Sequence, residues 1–83
     1  AVIIATPSKL HGPMVARALD KGLHIFCEKP FCMDADEGAA LARRAADLKR
    51  VAQVGYHNRF VGSFREAKRL VSAGVLGQLT HIH

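Results

Sequence analysis

The sequence predicts an α/β protein built on a doubly wound parallel sheet. Three observations carry this reading. Short apolar runs alternate with stretches of helical periodicity in the order strand, helix, strand, helix, strand. The connections between them are short, as right-handed crossovers in a parallel sheet require. The first run, AVIIA, is continuously apolar and rich in β-branched residues, the pattern of a strand buried on both faces.

Taken in order, AVIIA forms the first strand, and Thr6 and Pro7 stop it. Leu10, Met14, Val15, Ala18 and Leu19 recur at helical spacing; Pro13 suits a first turn, and Gly22 closes the helix as its C-terminal cap. His24 to Cys27 is the second strand. Pro30 ends it, because proline has no N–H to give to a ladder. Asp34 followed by Glu37 predicts a capping box with Asp in the place of Ser or Thr. The helix it opens runs through Ala40, Leu41, Ala45 and Leu48, with Arg43, Arg44 and Asp47 outside, and Val51 to Gly55 gives a third strand.

After Phe60 the pattern changes. Ser63 with Glu66 predicts another capping box, and Phe64, Ala67, Leu70 and Val71 form the apolar stripe of a helix stopping near Gly74. Gln78 to His83 reads as the first piece of a further strand. The boundary near residue 60 divides the chain into residues 1–60 and 61–83. No internal repeat is visible.

Composition narrows the classes. A chain of 83 residues is at most one small domain, and its 49% apolar and 23% charged content is that of a globular protein rather than a disordered one. No run approaches the ~18 apolar residues of a membrane span. There is no Met or basic leader before AVIIA, whose five apolar residues are too few for a signal-peptide core. Cys27 and Cys32, four residues apart in between, read as a reduced pair rather than a disulfide framework, and the expected location is cytoplasmic. The net charge of +5 admits an anionic partner. However, Arg43, Arg44, Lys49, Arg50, Arg65, Lys68 and Arg69 fall in helical segments that also hold acids, which reads as solvated helix faces. No aromatic residues interleave with them, so neither a nucleic acid nor a membrane is expected as partner. Cys27, Cys32 and the histidines lack metal-ligand spacing, and no metal site is expected.

Ligands of open α/β sheets sit beyond the carboxyl ends of the strands. That rule places Thr6–His11, Cys27–Phe31 and Tyr56–Phe60 on one rim. Lys29 there can protonate or hydrogen-bond a substrate oxygen, with Glu28 holding its charge. The same pair can equally be a surface ion pair contributing less than ~1 kcal/mol. The Lys29-Pro30 bond is a candidate cis peptide, with trans the ordinary form. Thr6, Pro7 and Ser8 can meet a ribose or phosphate, or simply begin a helix with Ser8 as its cap. His11 reads as a pocket hydrogen-bonder or acid/base group, or as a surface or capping residue. Arg59 can fix an anionic group, and Phe60 beside it reads as core. His57 and Asn58 stay ambiguous. Cys27 has no base or orienting partner in sequence and reads as sheet core.

Together ATPSKLH, HIFCEKP, VGYHNRF and AGVLGQL, each separated by a helix, resemble the glucose-fructose oxidoreductase / inositol dehydrogenase / rhizopine catabolism (Gfo/Idh/MocA) family of NAD(P)-dependent oxidoreductases. The resemblance covers essentially all 83 residues. It implies the C-terminal half of a Rossmann sheet (residues 1–60), then the start of an α/β domain for substrate binding and oligomerisation (residues 61–83). It implies NAD or NADP as cofactor, a sugar, cyclitol or related polyol as substrate, and a homo-oligomer when full length. Thr6, Pro7, Ser8 and His11 match the family's cofactor turn, although many members have Asn where Ser8 stands. Glu28, Lys29 and Pro30 match its E-K-P, with Lys29 both at the nicotinamide and catalytic. Arg59 matches the arginine of its R-F ending, and Val61, Gly62 and Ser63 stand where members often carry a proline.

The resemblance also implies that this chain is a fragment. The family's glycine-rich pyrophosphate turn is expected before residue 1 and its catalytic aspartate and histidine beyond residue 83, so the 83 residues alone are expected to bind NAD poorly and to leave the edge of AVIIA open. Two other activities occur within the same resemblance: a non-catalytic NAD(P)-binding regulator, and glycoside cleavage assisted by tightly held NAD.

Overall fold

A computed structural model describes residues 1–83. Strand β1 (Val2–Ile4) is followed by a 3-10 turn (Ser8–Leu10) and helix α1 (His11–Asp20). Strand β2 (Ile25–Cys27), helix α2 (Ala35–Asp47) and strand β3 (Ala52–Val54) come next, then a second 3-10 turn (His57–Phe60) and helix α3 (Gly62–Ser72). The three strands are parallel, in the order β1-β2-β3. Their register aligns Val2, Ile25 and Ala52 in one row, Ile3, Phe26 and Gln53 in the next, and Ile4, Cys27 and Val54 in the third. This is the α/β architecture that the strand-helix alternation predicts.

Only one face of the sheet is covered. Helices α1 and α2 pack side by side over it, and the core is Ile4, Val15, Ala18, Leu19, Ile25, Cys27, Leu41 and Ala45. Each fully buried aliphatic side chain here contributes about 1.5–3 kcal/mol. Alternation along β1 shows the asymmetry: Ile4 is 2% exposed and its neighbour Ile3 is 76% exposed. The expected burial of AVIIA on both faces is therefore corrected, since within these residues nothing lies over the Ile3 side. The outer edge of β1 is unpaired within these residues, as the resemblance implies.

Local chemistry sets the helix ends. Gly22, at φ 64°, closes α1: its N–H donates to the Leu19 carbonyl at 2.9 Å, and the Leu23 N–H donates to that of Ala18 at 3.0 Å. These two bonds define a Schellman cap. At the start of α2 the Asp34 carboxylate accepts the Glu37 N–H at 2.9 Å, as the capping pattern predicts. The Glu37 carboxylate does not complete the box; it lies against Gly12 on α1, where a β-carbon would collide with it. An ion pair between Arg44 and Asp20, both partly exposed, joins the two helices further along.

Three expectations fail beyond β3. Val61, not Ser63, occupies the N-cap of α3, and no side chain caps that helix, because it starts two residues earlier than the Ser63–Glu66 spacing implies. Glu66 instead pairs with Arg69 on the exposed surface. Phe60 is 72% exposed rather than core, for α3 packs chiefly on the 57–60 turn and not on the sheet. Gln78–His83 forms no strand; an isolated strand leaves its N–H and C=O groups unpaired, and none of β1, β2 or β3 lies alongside it. The stop near Gly74 is as predicted, with φ 70° at that glycine.

Candidate active site at the carboxyl ends of the strands

Backbone bonds continue past the ends of the strands and gather the loops. The Glu28 N–H donates to the Ile4 carbonyl at 2.9 Å, and the Gly55 N–H donates to the Cys27 carbonyl at 2.8 Å. The segments after β1, β2 and β3 thus leave the sheet side by side, as the strand-end rule predicts.

Lys29 lies on the exposed rim and lines a cavity of about 360 Å³ together with Gly55, Tyr56, His57, Asn58 and Arg59. Two predicted site residues, Lys29 and Arg59, are therefore brought together across the β2 and β3 ends. His57 and Asn58, ambiguous in sequence, stand on the same wall. Glu28 is half-buried and turns back on its own chain: its carboxylate accepts the Lys29 N–H at 3.1 Å and lies over Gly55. No side-chain ion pair links Glu28 to Lys29, so the surface ion pair weighed from sequence is not the contact formed. The Lys29-Pro30 peptide is cis.

The first rim loop joins this group indirectly. His11 is 1% exposed; its Nδ1 is 2.6 Å from the Pro30 carbonyl oxygen and its Nε2 is 2.8 Å from that of Thr6. The Thr6 hydroxyl faces the Met14 sulfur at 3.4 Å. Pro7, rather than Ser8, precedes the 3-10 turn, and Ser8 makes no cap bond, so its expected capping role is not seen. Thr6, Pro7, Ser8 and His11 hence form one side of the rim, and Lys29 with Arg59 the other.

Burial pushes the Cys27 thiol above its ordinary range, and the nearby Glu28 and Cys32 raise it further. Such a thiol keeps its proton and is a poor nucleophile, in keeping with its place in the core. Gly55 lines the cavity although it precedes the predicted rim segment, and Tyr56 lies within that segment with no role assigned to it from sequence. The available signal was the glycine directly after a strand on the ligand side, where close approach of another group commonly requires it.

The donors of this rim can hold one end of a dinucleotide. The cavity opens at the strand ends and offers donors from Lys29, Asn58 and Arg59. The pyrophosphate end is a different matter, since no G-x-G-x-x-G occurs among these 83 residues.

Known proteins resemble this chain in sequence and fold. The chain is 37% identical over 78 residues to a scyllo-inositol 2-dehydrogenase (NAD(+)) of Bacillus subtilis, covering 94% of this chain and 23% of that protein. It is 32% identical over 83 residues to a 2,7-anhydro-N-acetylneuraminate hydratase of Mediterraneibacter gnavus, covering 100% of this chain and 22% of that one. The crystal structure of apo scyllo-inositol dehydrogenase from Lactobacillus casei superposes with a TM-score of 0.81 at 36% identity, over 96% of this chain and 24% of that one. The chain thus spans roughly a quarter of the length of the relatives it matches. A family model described as an oxidoreductase family with an NAD-binding Rossmann fold matches residues 1–56, well over half of the chain. With its parallel sheet and its crossovers in agreement, the chain belongs to that NAD-binding oxidoreductase family, GFO_IDH_MocA.

Proposed function

We propose that the protein carrying this chain is an NAD(P)-dependent dehydrogenase that oxidises a CH–OH carbon of a cyclitol, sugar or related polyol. The observation that carries the reading is the shared cavity of Lys29 and Arg59 at the carboxyl ends of β2 and β3. The inositol dehydrogenases among its relatives favour a cyclitol within that class. When bound, NAD(P) supplies the hydride acceptor; the chain supplies binding, orientation and electrostatics.

Lys29 is the residue we assign to the substrate. Its Nζ, free of any ion pair, hydrogen-bonds the reacting hydroxyl and favours loss of that proton to a base. Glu28 fixes the main chain of Lys29 through the 3.1 Å bond from its N–H. Thr6, Pro7, Ser8 and Pro30 form the wall along which the cofactor lies, and Arg59 stands at its nicotinamide end. Residues 61–83, which hold the exposed helix α3, begin the second domain, whose uncovered Phe64 and Val71 suit contact between subunits of a homo-oligomer. The free thiols of Cys27 and Cys32 suit the cytoplasm.

The test is a substrate screen with the full-length protein, following reduced nicotinamide. Formation of it with cyclitols or polyols supports the reading, and no reduction with any member of the class refutes it. A second reading has its own support: one relative is named a hydratase, and the addition of water to a substrate involves no net hydride transfer. Turnover of an anhydro sugar or glycoside with no accumulation of reduced nicotinamide selects that reading.

A further inference from the structure

Residues 29–33 are held to the rest of the fold by very little hydrogen bonding. No backbone–backbone hydrogen bond involves any of them. The Lys29 N–H goes to the adjacent Glu28 side chain, and the Cys32 thiol goes to the Asp34 carbonyl two residues on. The one hydrogen bond that ties this segment to another part of the chain comes from His11, whose Nδ1 meets the Pro30 carbonyl at 2.6 Å. Its Nε2 meets the Thr6 carbonyl at 2.8 Å.

Both partners are carbonyl oxygens, which only accept. A ring with a single hydrogen can satisfy one of them, and its other nitrogen then sets a lone pair against an oxygen lone pair at hydrogen-bond distance. The ring that fits both contacts carries hydrogen on both nitrogens, and each bond is then charge-assisted. Glu37 of α2, itself exposed, lies against Gly12, the residue after His11. The ring itself is 1% exposed, and both its polar atoms are taken by the protein.

We infer that His11 is a positioning residue: a buried, doubly donating clamp that fixes the Lys29–Pro30 segment against the turn after β1 without touching cofactor or substrate. The functional weight of the clamp rests on the reading of Lys29 as the substrate-facing residue. His11 departs here from the cofactor contact that its place in ATPSKLH suggests.

Two measurements on the full-length protein test the clamp. With ¹⁵N-labelled histidine, and His11 assigned by difference from His11→Gln, both ring nitrogens should show a directly bonded hydrogen under assay conditions; one bare nitrogen overturns the inference. His11→Phe fills the space without donors and should lower kcat by about 10²-fold, the scale of a misplaced catalytic group, with affinity for NAD kept. His11→Gln, whose amide can donate to the same carbonyls, should recover part of that loss. Wild-type kcat in His11→Phe, or a parallel collapse of NAD affinity, overturns it. Should His11→Phe fail to fold, the ring spectrum of the unaltered protein decides alone. Lys29→Ala separates the two claims: it should lower turnover by about 10²- to 10⁴-fold and leave the His11 spectrum unchanged. An active Lys29→Ala with both His11 hydrogens present refutes the role of Lys29 and keeps the clamp.

Discussion

The carboxylate of Glu28 lies across Gly55, so close that a β-carbon on that glycine would stand 3.3 Å from the Glu28 Oε1. Through this contact the end of β3 supports the residue that holds the Lys29 N–H. Gly55→Ala must push Glu28 aside by a few tenths of an ångström and slacken that bond. Turnover should fall by about tenfold, and stability should change by less than about 1 kcal/mol, since Glu28 is half-buried and can yield. Steady-state kinetics beside a denaturation curve checks both; a large stability loss with normal turnover contradicts the supporting role.

A second prediction concerns the end of α2. Lys49 has φ 53°, the left-handed conformation that side chains rarely adopt, and it sits where Gly22 sits at the end of α1. Its N–H donates to the Ala46 carbonyl at 2.9 Å and the Arg50 N–H to that of Ala45 at 2.8 Å, the same pair of bonds as in the first cap. Lys49→Gly should raise stability by about 1 kcal/mol, and Gly22→Ala should lower it by a similar amount. Urea denaturation of the two variants gives the comparison.

The Cys27 thiol gives a dependence on pH. Burial raises it first, and the charges of Glu28 and Cys32 add to the effect, so the folded protein holds this proton to higher pH than the unfolded chain does. Its contribution is whole below the unfolded thiol value of about 8.5. Above that value the unfolded state binds fewer protons, and stability falls as pH rises toward the folded value. Denaturation midpoints should therefore decline through the alkaline range in the wild type and less so in Cys27→Ala. In the folded protein a thiol reagent should label Cys32 before Cys27, which is 0% exposed.

Much of this arrangement was legible because it is written locally. The strand-helix alternation, the Gly22 stop and the Asp34 cap each depend on residues within a turn of one another, and all three stand. The convergence of Lys29 and Arg59 followed from a topological rule rather than from their spacing. Other features have no local signal. The acceptors of His11 lie 5 and 19 residues away, so nothing in ATPSKLH distinguishes a buried clamp from a cofactor contact. Lys49 carries no mark of its left-handed backbone, because the usual marker there is glycine. Ser63 and Glu66 have capping spacing, yet the helix begins at Gly62 with Val61 as its cap. Gln78–His83 has strand composition without a strand to pair with, and composition alone does not supply the hydrogen bonds.

The central claim is that Lys29 acts on the substrate at the rim cavity, and single-turnover hydride transfer in the full-length Lys29→Ala protein tests it most directly. The account predicts a rate lower by about 10²- to 10⁴-fold, the usual contribution of a positioned proton-transfer group, with NAD binding by calorimetry essentially that of the wild type. A Lys29→Ala protein that transfers hydride at the wild-type rate would contradict it.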